Sequence, residues 1–262
     1  MKALIFDLGE TLVADEVTAT TAFLKTCLFA QAHYDISLTG FQAIIRATCR
    51  SFWCQSPARE YCTQIGISPW DGLWAEFTGD DENLRILREW APTYRRLSWF
   101  TALQKFGIED EPFALKLAER YILSRQELHV VYRDVLPTLK RYKLRYRMGL
   151  LTNGVPDLQR RKIKGTGLGR FFDEIIVSGE FGIGKPDRKI FERMLSRFDV
   201  KPDSVLVVGD SLKSDVQGAH EVGMKAIWVN RSEEAPDDSI VPDFTVNCLD
   251  QLNEIINQVE NV

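Results

Sequence analysis

Several classes of protein are excluded by what this chain lacks. No run of about 18 apolar residues is present, so no membrane-spanning helix is expected. No long basic run occurs, and 37 acidic residues outnumber 33 basic ones for a net charge of -4. Nucleic-acid binding therefore has no electrostatic support. The five cysteines (Cys27, Cys49, Cys54, Cys62 and Cys248) form no Cys-x-x-Cys pair. The apolar run Ala3–Phe6 is too short for a signal peptide and meets Asp7 at once. Together these features predict a cytoplasmic protein with reduced thiols that serve as small buried hydrophobes. His33, His129 and His220 match no metal motif. There are no internal repeats and no low-complexity segments.

What is present falls into two textures. From about residue 15 to 128 the apolar residues recur at helical spacing. Examples are Phe23, Leu24, Cys27 and Leu28, then Phe41, Ile44 and Ile45, then Trp99, Leu103 and Phe106. Five of the six tryptophans lie in this stretch, where most are expected to pack. From about residue 130 short apolar runs alternate with amphipathic ones. Strands are expected at Met148–Leu151, Glu174–Val177, Val205–Val208, Ala226–Val229 and Phe244–Val246. Helices are expected around Val135–Tyr142, Pro156–Lys164, Lys189–Phe198 and Lys213–Val222. The loop from Arg231 to Asp243 is polar and contains proline, so it reads as a surface excursion. Strand-helix alternation predicts a parallel sheet covered on both faces, and the run at residues 3–6 belongs with it. The expected organisation is an α/β, Rossmann-like core from residues 1–14 plus 129–262, with an inserted all-helical domain at 15–128.

The polar residues fall at the strand ends. The first run ends in Phe6-Asp7, the second in Leu151-Thr152-Asn153-Gly154. The fourth ends in Val208-Gly209-Asp210-Ser211, with Asp215 close behind. Gly182-Ile183-Gly184-Lys185-Pro186 precedes the helix near residue 189. In an open parallel sheet, ligands bind outside the carboxyl ends of the strands. Asp7, Asp210 and Asp215 would repel one another if brought together, and an all-oxygen cluster suits Mg²⁺. Thr152 offers a hydroxyl and Lys185 a fixed positive charge. Gly154 and Gly209 would let backbone N–H groups approach an anion. Taken singly, Asp7 reads as a cap, Thr152-Asn153-Gly154 as a turn and Asp215 as a solvated helix residue. The set in this order reads as a site for a phosphate, with a carboxylate placed to attack phosphorus.

These motifs resemble those of the haloacid dehalogenase superfamily, in its phosphatase-type members with a helical cap inserted after the first motif. The matching stretches are Leu4-Ile5-Phe6-Asp7-Leu8-Gly9-Glu10-Thr11, Leu150-Leu151-Thr152-Asn153, Gly182-Ile183-Gly184-Lys185-Pro186 and Val208-Gly209-Asp210-Ser211-Leu212-Lys213-Ser214-Asp215. The resemblance implies a phosphatase acting on a small phosphorylated metabolite. It implies Asp7 as nucleophile, Thr152 and Lys185 as phosphoryl-binding and charge-neutralising groups, and Asn153 and Gly154 beside them in the substrate site. It implies Mg²⁺ held by Asp7, Asp210, the backbone carbonyl of Gly9 and Asp215, the last of these supporting either the metal or Lys185.

One position departs from the pattern. Most phosphatases of this family have a second aspartate where this chain has Gly9; that group protonates the leaving oxygen and then activates water, help worth ~10²–10⁴-fold. Three readings follow. The proton work passes to Glu10, to a cap residue or to water; or the chemistry is different; or the protein is a weak or non-catalytic ligand-binding member. The acidic Asp210 disfavours dehalogenation, which needs no metal. A phosphonate cleaver needs a cap lysine, and nothing marks out Lys25 for that role. Arg46 with Arg50, and Arg95 with Arg96, are candidates to grip an anionic substrate, although arginines so spaced are usually solvated helix surface. Oligomeric state is not legible in the sequence.

Overall fold

Alternation along the strands explains how the core is built. In the computed structural model, which describes residues 1–235 and 239–260, six strands form one parallel sheet. They are β1 (Ala3–Phe6), β2 (Arg147–Thr152), β3 (Glu174–Val177), β4 (Val205–Gly209), β5 (Lys225–Val229) and β6 (Phe244–Val246). Leu4 and Phe6 of β1 enter one apolar cluster, with Leu206 and Val208 of β4 and Ile227 and Val229 of β5. Ala3 and Ile5 enter another, with Val205, Val207, Ala226 and Trp228. The helices Val135–Tyr142 and Leu252–Glu260 supply side chains to the first cluster, and Arg188–Phe198 to the second. A sheet buried on both faces needs apolar residues at every position, which is why these strands are continuous hydrophobic runs. Burying each Leu, Ile or Val contributes about 1.5–3 kcal/mol relative to exposure.

The strand order is β3-β2-β1-β4-β5-β6. The chain leaves β1, builds outward through β2 and β3, then returns to β4 on the other side of β1. The reversal puts a crevice beside the C-terminal end of β1, the position where doubly wound sheets bind ligands. Register is continuous across it, with Phe6 level with Leu150 on one side and Val208 on the other.

Two compact units divide the chain. The first comprises Met1–Ala14, Val130–Asn153 and Lys162–Val262, and contains the sheet. The second comprises Asp15–His129 and Gly154–Arg161. Its described elements are all helical, including Asp15–Gln31, Leu38–Trp53, Glu82–Gln104 and Glu111–Glu127. Val155 and Leu158, from the short second segment, join its apolar core. Three tryptophans there are fully packed (Trp53, Trp74 and Trp99), while Trp70 and Trp90 are partly buried. Among the described residues, no helix is long and apolar enough to cross a membrane.

Every expected strand lies within one residue of an observed one. The helix expected around Phe23 to Leu28 is present, and the one expected near Lys213–Val222 needs correction. Leu24 and Leu28 do lie on a helix, but they are 39% and 45% exposed. Ala22, Phe23, Thr26 and Cys27 carry the buried stripe instead, one position away. The segment near Lys213–Val222 is not one regular helix: a π-helical stretch at Leu212–Gln217 precedes a short α-helix at Gly218–Glu221. Cys27, Cys49 and Cys62 are buried free thiols, as expected, whereas Cys54 is exposed. Of the polar loop after β5, Arg231 turns inward and residues 232–235 are exposed. Residues 236–238 of that loop, and 261–262 of the expected core, lie outside the described residues.

The arginine pairs of the helical unit are held by their own surroundings. Arg95 donates to the carbonyls of Gly72 and Ala75, and Arg96 pairs with Glu111. Arg46 pairs with Glu16, donates to Thr20 and stacks over Phe23 and Trp70, where Arg50 also lies.

Candidate active site

The ladder itself carries Asp7 to the end of the sheet. Directly after β1, its amide donates to the Val208 carbonyl of β4 at 2.9 Å. Thr152 closes β2 on one side and is buried, with its Oγ1 only distantly placed from the Asn153 carbonyl, at 3.5 Å. Asp210 follows β4 on the other side. The helix-like turn after β4 brings Asp215 back underneath, where Ser211 N–H donates to its Oδ2 at 3.0 Å. Gly209 makes that return possible. A Cβ there would sit 2.2 Å from the Asp215 carboxyl carbon, so a side chain would displace the carboxylate. The π-helical stretch that places Asp215 is a local irregularity of the kind found at functional sites.

Lys185 binds these acids together. Its Nζ donates to Asp7 Oδ1 and Asp215 Oδ1, each at 2.6 Å, and its side chain is 3% exposed. Its backbone is clamped by Asn153: the Asn153 Nδ2 donates to the Lys185 carbonyl at 2.9 Å, and the Lys185 N–H donates to Asn153 Oδ1 at 2.8 Å. Asn153 was expected beside a substrate; its amide is engaged by the residue that delivers the ammonium group. The carboxylate oxygens of Asp7, Asp210 and Asp215 can approach within 4.8 Å of one another. Three acids thus face one lysine. Both oxygens of Asp215 already accept hydrogen bonds, one from Lys185 and one from Ser211.

The electrostatics record the crowding. Burial raises the Asp7 carboxyl to about 6, with Lys185 pulling down and Asp215 pushing up. Burial, then the charges of Asp7 and Asp215, raise partly buried Asp210 to about 8. Burial opposes the charge on Lys185, but Asp215 and Asp7 outweigh it and hold its pKa above the ordinary lysine value. Like charges held this close favour protons or a cation.

Gly9 leaves room. A Cβ built there meets nothing within 4 Å, so no clash explains the missing side chain. Its carbonyl accepts the Thr11 N–H at 2.5 Å in a tight turn, where Glu10 adopts φ +49°. Glu10, the candidate proton carrier, accepts the hydroxyl of Tyr132 at Oε2 (2.8 Å) and lines a small cavity with Asp210, Trp228 and Arg231. Gly154 also has a left-handed φ, +135°, and groups by its contacts with the helical unit. A Cβ there would lie 2.4 Å from Gln159 Nε2.

Sequence reasoning missed three residues around this site: Tyr132, Asp134 and Arg231. Arg231 donates through both η nitrogens to Asp134, at 2.9 and 3.0 Å, and through Nε and Nη2 to the Thr11 carbonyl. No motif spacing links them.

The class of protein follows from sheet order and strand-end chemistry together, and sequence comparison agrees. The family described as haloacid dehalogenase-like hydrolase matches residues 1–223, and the chain belongs to it. Among relatives, a phosphoserine phosphatase of Thermus thermophilus is 35% identical over 95% of this chain and 96% of its own. A glyceraldehyde 3-phosphate phosphatase of Methanopyrus kandleri is 30% identical over 60% of this chain and 70% of its own. A crystal structure of a HAD phosphatase from Thermococcus onnurineus superposes with a TM-score of 0.56, at 28% identity, covering 98% of each chain.

Proposed function

We propose that this hydrolase is a Mg²⁺-dependent phosphomonoesterase that works through an aspartyl-phosphate on Asp7. The observation that carries the reading is the cluster of three carboxylates, Asp7, Asp210 and Asp215, beside the ends of the adjacent strands β1 and β4, with the Lys185 ammonium bridging Asp7 and Asp215. Such an arrangement is self-repulsive without a further cation, and its donors are all oxygen, the ligand set that magnesium takes. The phosphatase relatives give independent support for the reaction class.

Asp7, Asp210 and the Gly9 carbonyl would hold the ion, with Asp215 supporting Lys185. When bound, magnesium would offset the like charges and polarise a phosphoryl oxygen. The chain's own groups do the rest. Lys185 fixes Asp7 Oδ1, which leaves Oδ2 to attack phosphorus. The new bond is Asp7 Oδ2–P; the bond that breaks joins phosphorus to the ester oxygen, which leaves with the electron pair and takes a proton from water. Thr152 Oγ1 and the Lys185 ammonium bind the phosphoryl oxygens. Asn153 holds Lys185 in place, and Gly154 is proposed to offer its backbone beside them. Water then attacks phosphorus, inorganic phosphate departs and the Asp7 carboxylate is regenerated. No side chain occupies position 9 to speed either proton transfer, so turnover is expected to be slow. The helical unit is proposed as the cap that chooses among small phosphorylated metabolites.

The test is phosphate release from p-nitrophenyl phosphate and a panel including phosphoserine, glyceraldehyde 3-phosphate, sugar phosphates and nucleotides, with and without Mg²⁺. Multiple turnovers dependent on Mg²⁺ are expected. Folded protein that turns over no member of the panel would overturn the reading in favour of a non-catalytic phosphate- or partner-binding role.

A further inference from the structure

The turn that carries Gly9 is braced from a distant part of the chain. Thr11 is its junction. The Thr11 N–H donates to the Gly9 carbonyl at 2.5 Å, and the Thr11 hydroxyl donates to Asp210 Oδ1 at 3.2 Å. The Thr11 carbonyl accepts two bonds from Arg231, from Nη2 at 2.9 Å and Nε at 3.3 Å. Arg231 follows β5 and is itself immobilised. Its Nη1 and Nη2 reach the two oxygens of Asp134, which is 2% exposed and also accepts the Leu249 N–H at 2.7 Å. The Tyr132 ring lies 4.0 Å from its guanidinium carbon, and the Tyr132 hydroxyl donates to Glu10 Oε2. One side chain therefore grips the turn at Thr11 and, through Tyr132, reaches Glu10 beside it.

We infer that Arg231 is a positioning residue that sets the relative placement of the Gly9 carbonyl and the Asp210 carboxylate, and so the affinity of the oxygen site for a divalent cation. The inference rests on the proposed metal-dependent reading. Its logic is local. A glycine offers a cation only its carbonyl, and a carbonyl can be aimed only by fixing the backbone. Glu10, at φ +49°, is in a conformation that needs surrounding contacts to persist. A guanidinium is suited to this task because it has five donors in a rigid fork; here it serves a carbonyl and both oxygens of a carboxylate together. β5 reinforces the same site through Trp228, whose Nε1 donates to the Asp210 carbonyl at 2.7 Å.

The experiment is direct calorimetric titration of Mg²⁺, and of Mn²⁺ by electron paramagnetic resonance, into the metal-free full chain and its variants Arg231→Gln, Arg231→Lys and Thr11→Val. Unfolding midpoints are measured on the same samples. Arg231→Gln should weaken cation binding about 10–100-fold, the usual effect of losing a residue that orients a ligand. Arg231→Lys should restore it only in part. Thr11→Val, which keeps the backbone but removes the donor to Asp210, should weaken it by a smaller factor, and it carries the test if the arginine variants do not fold. Folded Arg231→Gln or Thr11→Val protein binding Mg²⁺ within twofold of the parent would overturn the inference, even if its unfolding midpoint fell. Parent protein that binds Mg²⁺ and hydrolyses phosphomonoesters while the variants bind equally well would leave the proposed function standing and remove only this inference. Parent protein that binds no divalent cation would remove both.

Discussion

The helical unit and the sheet unit both bury charge, and they do it in opposite ways. In the helical unit Arg125 pairs with Asp15 at 2.7 Å, donates to Thr18 and lies over the Trp74 ring at 4.8 Å. One cation meets one anion, its two η nitrogens find oxygen acceptors, and its guanidinium lies over an aromatic face. In the sheet unit Lys185 meets Asp7 and Asp215 at equal distance, with Asp210 alongside. The first arrangement is electrically closed and explains itself as packing. The second has an excess of negative charge that folding would avoid unless something positive arrives. Burial of a charge is therefore a poor mark of function; an unbalanced cluster at a strand-end crevice is a better one.

The sharpest way to break this contrast is to remove the carboxylate at its centre. Asp7→Asn should reduce turnover by about 10⁴-fold or more, since no neighbouring group can replace a covalent nucleophile. The same variant should melt higher than the parent without metal, because it relieves repulsion toward Asp210 and Asp215. Steady-state kinetics and thermal unfolding on one sample check both halves. Full activity in Asp7→Asn would eliminate the covalent route.

Next come Lys185 and Arg125, one buried cation from each unit. Lys185→Met strands two carboxylates and should cost about 3–5 kcal/mol of unfolding free energy in the absence of metal. Mg²⁺ should recover part of that loss by supplying another positive charge. Arg125→Met strands Asp15, whose side chain is 27% exposed and can rehydrate, so its cost should be about 1–3 kcal/mol. Mg²⁺ should recover none of it. Urea unfolding with and without the ion reads all four values. Equal rescue of both variants would erase the distinction between the units.

A gentler change sharpens the contrast within the sheet unit. Position 9 has open space around a built Cβ, so Gly9→Asp should fold normally. It should raise kcat by up to about 10²-fold, the lower part of the range for a positioned proton carrier. A pre-steady-state burst of leaving group should shrink as release of the phosphoenzyme speeds up. An unchanged kcat would mean that water or Glu10 already does this work.

Much of the sheet unit was legible because its signals are local. A buried parallel strand must be apolar throughout, so Ala3–Phe6 and Val205–Val208 announce themselves, and a carboxylate directly after such a run marks the ligand edge. Asp7 and Asp210 could be named as candidates for that reason and Thr152 as the hydroxyl that ends β2, whereas Lys185 follows no strand and is marked by the Gly182-Ile183-Gly184-Lys185-Pro186 stretch ahead of a helix. What could not be read depends on contacts between distant positions. Nothing near Arg231 says that it will meet Thr11, and nothing near Asn153 says that its amide will clamp the Lys185 backbone. The π-helical stretch at Leu212–Gln217 is hidden too, because residue spacing suggests an ordinary helix. In the helical unit Leu24 and Leu28 fit an apolar stripe as well as Phe23 and Cys27 do. Packing against neighbouring helices, which periodicity does not encode, decides which stripe is buried.

The smallest expected effect separates the units by pH. Asp7 at about 6 and Asp210 at about 8 bind protons more readily in the folded chain than carboxyls do when unfolded. Between roughly pH 4 and 8 the folded state therefore holds the extra protons, and the stability of the metal-free protein falls as pH rises through that window. Lys185 and Arg125 have raised values and stay charged throughout, so neither adds a slope there. A cation needs the carboxylates ionised, so its binding displaces those protons. Apparent Mg²⁺ affinity should rise from pH 6 to 8 by up to about tenfold per unit and level off above. Calorimetry in buffers of different ionisation enthalpy would count the protons released. In Asp210→Asn the rise should flatten, because one of the crowded carboxyls is gone, while in Arg125→Met the whole profile should persist. A profile flat from pH 6 to 8 in the parent would show that the crowded acids of the sheet unit are not where the cation binds.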